Sequence, residues 1–475
     1  MLDPMETEAA IDALVEGTVI TMDAQRRVLR DGAVAVHGGR IVAVDEAEKL
    51  RRRYRPERTL GGSRRFVIPG LIDCHNHLAQ ALVRDYALED FPNIYRIYIP
   101  CEIALDADDV RVSARYGISQ MLRAGITTVA ETTCTESHEA PISETIMATG
   151  IRAAMARGMP DRQSHLASNY EQVDERSWYR DDPGLLEQDL AVTEEFLRRW
   201  QRDGEGRLRP YVHNLGVPSC SDQRFLETRA LAERFGTRVM CHINRDREEI
   251  ELAVSLFGER PLEHLHTIGA IGEGFLAIHA MLTTDREIEM LAQAGGAVAH
   301  APVVCTDIVS AVTKVPTMRA SGVVVGLGCD TVINDILKIA RIAFIMHTQE
   351  TGIRMCDPYG FTTEDALTMG TIDAARALGW DDEIGSLEVG KAADVVVIDG
   401  DNVRLTPAYD PVGTLVRYAS GTDVETVLVA GRLVVDGGEV LTVPQAELLD
   451  QAEQVGAKLG AALAPRRYRP MREVG

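Results

Sequence analysis

No apolar run in the 475-residue chain is long enough to span a bilayer. The opening M-L-D-P-M-E-T-E lacks the basic and apolar regions of a secretory signal. Excess positive charge is missing too. With 50 basic and 72 acidic residues, the formal net charge is −22, which argues against nucleic acid, anionic membrane surfaces and polyanionic substrates. The eight cysteines form no C-x-x-C pair. Cys74, Cys241, Cys305 and Cys329 lie in apolar, strand-like runs and read as small core residues in a reducing compartment, not as a disulfide framework. There is no internal repeat and no low-complexity tract. These absences point to a soluble, cytoplasmic globular protein with a small-molecule substrate, and a homo-oligomer is expected. The length exceeds one ordinary compact domain but suits a barrel with an accessory domain.

What is present changes character twice along the chain. From about Leu14 to Arg65 the pattern is period-two and β-branched, with V-I-T-M-D and G-A-V-A-V-H-G-G-R-I-V-A-V-D as strands and Gly39 in a hairpin turn. This predicts an antiparallel β piece. After His77, strand-like runs alternate with amphipathic helices. One helix begins at D-A-D-D-V with an acidic first turn and stops at Gly125. The strands read I-T-T-V-A-E-T-T, I-R-A-A-M-A-R, R-P-Y-V-H-N-L, T-R-V-M-C-H-I-N, F-L-A-I-H-A, A-V-A-H-A and V-V-V-G-L-G-C-D. Together with the strand that ends near His77 they number eight, the pattern of an α/β protein built as a (β/α)₈ TIM barrel. Beyond about Asp381 the β pattern returns. Both chain ends are therefore expected to build one small β-sandwich-like domain from residues 1–70 and 385–445, around a barrel at 71–384, with a helix and basic tail at 446–475. Two stretches are candidate walls or lids: D-F-P-N-I-Y-R-I-Y-I-P, and the polar segment from about Pro160 to Gly184 with Tyr170, Trp178 and Tyr179.

The chemistry is carried by histidines at strand ends. The chain is organised around V-I-P-G-L-I-D-C-H-N-H, residues 67–77. Residues i and i+2 of a strand share a face, so His75 and His77 aim at one point and make half a metal site. His213, His242, His279 and His300 stand on the fourth to seventh barrel strands, and Asp330 follows the eighth. One such histidine is more often a satisfied core residue than a ligand. Six with an aspartate at the catalytic end of one barrel are hard to ascribe to coincidence. Nitrogen donors with a carboxylate suit Zn²⁺, and also Fe²⁺, Mn²⁺ or Co²⁺.

With these pieces, L-V-R-D-Y-A-L-E-D-F-P, A-I-H-A-M-L-T-T-D-R-E-I-E-M-L-A-Q-A-G-G-A-V-A-H-A-P and G-K-A-A-D-V-V-V-I-D, the chain resembles the amidohydrolase superfamily along nearly its whole length, in the deaminase and chlorohydrolase-like branch. The resemblance implies that His75, His77, His242 and Asp330 hold one metal ion, that His279 with Asp330 deprotonates water, and that His213 touches the substrate. A two-metal site in this superfamily usually needs a lysine on the fourth strand. No lysine lies between Lys49 and Lys314, so a mononuclear site is expected.

Three departures fall near the expected substrate. The branch's H-x-x-E is here His242-Ile243-Asn244-Arg245, its P-x-S-N is P-V-V-C ending at Cys305, and its D-G is Asp330-Thr331. A guanidinium stays protonated and cannot shuttle a proton, though it can hold an oxyanion or a carbonyl. The alternative is that Arg245 pairs with Asp246, Glu248 or Glu249. Arg245, Asn244, His213, His300 and Cys305 are thus the candidate substrate residues. The expected activity is metal-dependent hydrolysis of a C–N bond. Substituted ureas, carbamates or amides come first, since the resemblance extends to phenylurea and thiocarbamate hydrolases. Deamination or dechlorination of an N-heterocycle is the alternative. A non-catalytic barrel used as an interaction module is a third reading, and the retention of all four ligands speaks against it.

Overall fold

A computed structural model describes residues 9–86, 94–133, 135–162, 180–305 and 311–463. Two eight-stranded sheets organise it. The first takes β1 (Ala9–Ile20), β2 (Val28–His37), β3 (Arg40–Glu46) and β4 (Tyr54–Pro69) from the start of the chain. The second is built from β5 (Leu71–Asn76), β6 (Ile126–Thr133), β7 (Arg152–Arg157), β8 (Leu208–Asn214), β9 (Val239–Ile243), β10 (Phe275–His279), β11 (Ala297–His300) and β12 (Val324–Leu327). The chain then returns to the first sheet with β13 (Val395–Asp399), β14 (Val424–Val429), β15 (Arg432–Asp436) and β16 (Glu439–Val440).

The terminal strands form one continuous sheet in the order β16-β15-β14-β13-β4-β1-β2-β3, so both chain ends do share it. The β2–β3 hairpin turns on Gly38 and Gly39, both at positive φ (57° and 76°), the backbone a two-residue hairpin loop requires. The antiparallel expectation fails at one pairing: β1 and β4 run parallel, from Ala9↔Tyr54 to Val19↔Val67. The helix Ala47–Arg53 explains it, because it carries the chain back across the sheet before β4 starts.

The second sheet is parallel throughout, in sequential order β5 to β12. Its strands are buried along nearly their whole length, as a barrel wall between core and helices demands. The seam between β12 and β5 is closed beyond the ladder. Asp330 N donates to His75 O at 2.9 Å, and Cys329 N donates to Asp73 Oδ1 at 2.9 Å. This pins Asp330 against the first-strand histidines. Gly326 makes the approach possible, since a Cβ there would sit 2.4 Å from Cys74 Sγ. The helix after the first wall segment runs Ala107–Arg123, capped by Asp106 in a reciprocal box with Asp109, and Gly125 follows at φ 82°.

One buried ion pair ties the two sheets together. Arg152 on β7 donates through Nε and Nη2 to Asp394 Oδ2 and Oδ1 at 2.9 and 3.0 Å, and Asp394 Oδ1 also accepts from Ala430 N at 2.7 Å. No helix among the described residues is long and apolar enough to cross a membrane. The C-terminal helix is Gln445–Ala462. The basic tail beyond it lies outside the described residues, as do Tyr170, Trp178 and Tyr179 of the long segment after β7.

Candidate active site

The carboxyl ends of the barrel strands bring five side chains to one point. The ligand atoms of His75, His242 and His279 all lie within 4.8 Å of one another, as do those of His75, His77 and Asp330. Asp330 Oδ1 is 3.2 Å from His75 Nε2 and 3.7 Å from His77 Nε2, and its Oδ2 is 3.7 Å from His279 Nε2. Two of the five sit at positive φ, His279 at 69° and Asp330 at 49°. Left-handed backbone at non-glycine residues costs of order 1–3 kcal/mol, and it clusters where a site demands an aim that a regular strand does not give.

The protonation pattern leaves lone pairs facing inward. His77 Nδ1 lies 3.0 Å from the Thr132 carbonyl, to which it donates, so its Nε2 is the acceptor nitrogen. His213 Nε2 lies 3.2 Å from His242 Nδ1. The Gly158 backbone also bonds the His213 ring. A proton held toward that carbonyl makes His213 Nε2 an acceptor for His242 Nδ1–H, which leaves His242 Nε2 a free lone pair. Neither ring nitrogen of His75 has a hydrogen bond of good geometry, although the residue is completely buried, and His279 Nδ1 is likewise without a partner. Orphaned buried nitrogens of this kind are costly unless something else binds them. The donor set of His75, His77, His242, His279 and Asp330 therefore fits a divalent ion.

The electrostatics agree with a neutral imidazole cluster. Burial, then the neighbouring His75, lowers the His77 pKa; burial drives His242 well below its ordinary value and takes His279 down to about 3. Burial pushes Asp330 upward, but His75, His279 and His77 more than offset it, so the carboxyl stays ionised well below the usual carboxylate range. Neutral histidines beside an ionised carboxylate are the state a metal ion binds.

His77, His242, His279 and Asp330 of this cluster line a cavity that opens to solvent. Its apolar wall comes from Ile94, Tyr98, Ile99, Leu215 and Pro218, and its polar wall from Gln80, Glu102, Arg245 and Glu249. The D-F-P-N-I-Y-R-I-Y-I-P stretch thus contributes wall residues from its described part; residues 90–93 lie outside it. Arg245 lines the cavity and also pairs with Asp246, Nε to Oδ2 at 2.7 Å.

Four expected substrate residues do not line the cavity. His213 stands behind His242 as its hydrogen-bond partner. Asn244, at φ 50°, is turned into the wall, where Nδ2 donates to Glu287 Oε1 at 2.9 Å and Thr283 Oγ1 at 3.3 Å. His300 Nε2 faces His347 Nε2 at 3.0 Å on the helix Ile336–Met355. Cys305 is packed with Met281, Ala301 and Val304, with its thiol 3.4 Å from Thr313 Oγ1. Sequence reading missed Gln80, Glu102 and Glu249. Gln80 Nε2 donates to Glu102 Oε1 at 2.7 Å, and Thr135 Oγ1 donates to Glu102 Oε2 at 2.9 Å.

Comparison with known proteins places this geometry. Residues 32–55 match the bacterial imidazolonepropionase-like composite domain. The chain is 31% identical over 449 residues to the 5-methylthioadenosine/S-adenosylhomocysteine deaminase of Syntrophobacter fumaroxidans, covering 93% of this chain and 97% of that protein. It is 29% identical over 457 residues to the 5′-deoxyadenosine deaminase of Methanopyrus kandleri, covering 94% and 99%. Among solved structures, an adenosine deaminase from Xanthomonas campestris with bound zinc shares the fold at TM-score 0.84 and 24% identity, covering 96% of this chain and all of that one. A zinc complex of atrazine chlorohydrolase from Arthrobacter aurescens shares it at TM-score 0.81 and 22% identity, covering 94% of this chain and 100% of that one. Residues 66–434 match the amidohydrolase family, and the chain belongs to it as a hydrolase of carbon–nitrogen bonds.

Proposed function

We propose that the protein is a mononuclear metal-dependent deaminase of an adenine nucleoside, with His75, His77, His242 and Asp330 as the metal ligands. The observation that carries the reading is the end-to-end similarity to nucleoside deaminases of a chain in which His77, His242, His279 and Asp330 line one cavity. It reverses the order of the sequence-based expectation. In the sequence, the resemblance to phenylurea and thiocarbamate hydrolases and Arg245 at the usual Glu position put ureas, carbamates and amides first, whereas the relatives favour the N-heterocycle alternative.

A divalent ion held there, Zn²⁺ being the first choice, supplies Lewis acidity that brings the pKa of water from about 15.7 to about 7. The protein does the rest. His279 and Asp330 lie side by side at the cavity floor and accept the proton that water loses as its oxygen attacks. The apolar wall of Ile94, Tyr98, Leu215 and Pro218 suits a flat, uncharged heteroaromatic ring. Glu102 keeps lone pairs on both carboxylate oxygens and can accept from sugar hydroxyls. Among the described residues the polar lining also includes Arg245, whose guanidinium Asp246 engages.

The test is ammonia release by Zn²⁺-loaded protein from 5′-methylthioadenosine, 5′-deoxyadenosine, S-adenosylhomocysteine and adenosine, beside phenylureas and chlorinated triazines. Turnover of an adenine nucleoside with kcat/KM at least tenfold above every urea and triazine is expected. Turnover of a urea alone would refute the reading.

A further inference from the structure

Deamination of a ring carbon needs a group that gives a proton to the ring nitrogen and later takes one back. In the family this is the Glu three residues after the fifth-strand histidine, and here that position is Arg245, which cannot do it. The next helix, Arg247–Phe257, is capped by Asp246 and places Glu249 in its first turn, seven residues after His242. Glu249 does not point outward as a first-turn Glu usually does. Only 4% of it is exposed, and its carboxylate turns back toward the strand end, where Oε2 accepts from Arg245 N at 2.7 Å. The Asn244 backbone also bonds the carboxyl, Oε1 is buried without a hydrogen bond of good geometry, and the residue lines the cavity with His242, His279 and Asp330.

From this geometry we infer that Glu249 is the proton-transferring residue of this enzyme, taking over from the family Glu whose place Arg245 holds. The inference rests on the deaminase reading. As the water oxygen bonds to the amine-bearing carbon, Asp330 takes one water proton and Glu249 gives its Oε1 proton to the ring nitrogen. The tetrahedral carbon then carries hydroxyl and amine. Its hydroxyl proton returns to Glu249 and the Asp330 proton goes to the amine. The C–N bond breaks, ammonia leaves and a ring carbonyl remains, with both carboxyls back in their starting states.

The surroundings support the assignment. Burial raises the Glu249 pKa to about 7; Arg245 works against this and Asp246 with it. Cys241, on the adjoining strand, lies in the field of Glu249 with its thiol held neutral by burial, and His242, His279, Asp330 and Glu102 share the cavity with Glu249. A carboxyl with this pKa is available in both forms at neutral pH, which is what general acid–base transfer requires. The bond from Arg245 N is also what a purely structural residue would make, so the experiment has to separate the two roles.

Glu249→Gln does so, because the amide oxygen can still accept from Arg245 N while no proton can be transferred. The expected result is a fall in kcat/KM of roughly 10²–10⁴ on the best nucleoside, with bound Zn²⁺ unchanged and the variant folded. Formate should restore part of the activity in Glu249→Ala. In the wild-type minus Glu249→Gln infrared difference spectrum, a protonated-carboxyl band should titrate near pH 7. Activity of Glu249→Gln within fivefold of wild type, or a Glu249 carboxylate ionised throughout pH 5–8, overturns the inference. Wild type acting on ureas but not nucleosides sinks the deaminase reading instead, and the infrared titration still decides the state of Glu249. If the Gln variant loses metal or fails to fold, the formate response of Glu249→Ala decides: no response rejects the role.

Discussion

The hydrogen bond from His242 to His213 makes a specific demand on the metal site. His213 is fully buried, and its Nε2 faces His242 Nδ1 at 3.2 Å. Burial first, then His77 and Arg224, drives the His213 pKa well below its ordinary value, so the ring stays neutral and remains an acceptor across the neutral range. His213→Phe keeps the ring and removes the acceptor. One neutral hydrogen bond contributes about 0.5–1.5 kcal/mol net, and stranding the His242 N–H in a dry wall costs about 1–3 kcal/mol. His242 can escape that cost by moving its proton to Nε2, which then blocks the lone pair. Either way the loss falls on the metal, and partners of ligating histidines are typically worth 10–100-fold in affinity, which is about 1.4–2.7 kcal/mol. The assay is Zn²⁺ affinity by competition with a chromophoric chelator at pH 7, with Tm measured alongside. Affinity within twofold of wild type in a folded variant would refute the tautomer chain.

Arg245→Ala should reduce kcat/KM by less than tenfold, because Asp246 already engages the guanidinium; it should also move the acid–base transition of the pH–rate profile upward, since Arg245 holds the Glu249 pKa down. A hundredfold loss with no shift of the profile would mark Arg245 as an oxyanion donor instead. Asp394→Ala should destabilise the protein by about 3–5 kcal/mol, because it strands the buried Arg152 guanidinium; denaturant melts that match wild type would count against it. Glu249 should also appear in stability. Its folded pKa of about 7 lies above the ordinary 4.5, so the native state holds the extra proton between those values. The stabilisation is present below about pH 4.5 and lost as pH rises through about 7, roughly 3 kcal/mol in all. The stability of Glu249→Gln relative to wild type should therefore grow between pH 5 and pH 8, and a constant difference across that range would contradict the burial argument.

The barrel was legible because each of its strands is an apolar run of four to eight residues followed by a helix, and because the histidines fall at fixed ends of those runs. The His75-x-His77 pair carried the site, since strand geometry alone sends i and i+2 to one face. What failed to read was anything set by a single dihedral or by packing across the barrel. Asn244 is adjacent to the fifth-strand end, but φ 50° turns its amide into the wall toward Glu287. His300 has the right place on its strand, but His347 comes from a helix more than forty residues later to meet it. Gln80 and Glu102 carry no motif at all. They become wall residues in the segments Leu78–Gln80 and Ile99–Ala104, which a side-chain hydrogen bond between them joins at the cavity. The parallel β1–β4 pairing was invisible for a similar reason, since nothing in either strand records the short helix that re-aims the chain.

The Arg245 departure shows how far a motif can mislead when it is read by position alone. A linear comparison takes Arg in place of Glu as the loss of a proton carrier, and from that loss follows a substrate that needs none. The requirement of the chemistry, however, is a carboxyl group in the cavity wall that can exchange a proton, not a Glu at one index. The turn after β9 meets that requirement with a residue one helical turn further on. Because Asp246 starts the helix, its third position faces the strand end, and the backbone N–H of Arg245 draws the Glu249 carboxylate inward. The same turn disposes of the arginine, whose charge is balanced by its neighbour Asp246. Position 245 is therefore free to change charge as long as position 249 stays buried and acidic. The two residues should be read as one unit, and a double Arg245→Glu, Glu249→Gln variant is expected to recover activity that Glu249→Gln alone loses.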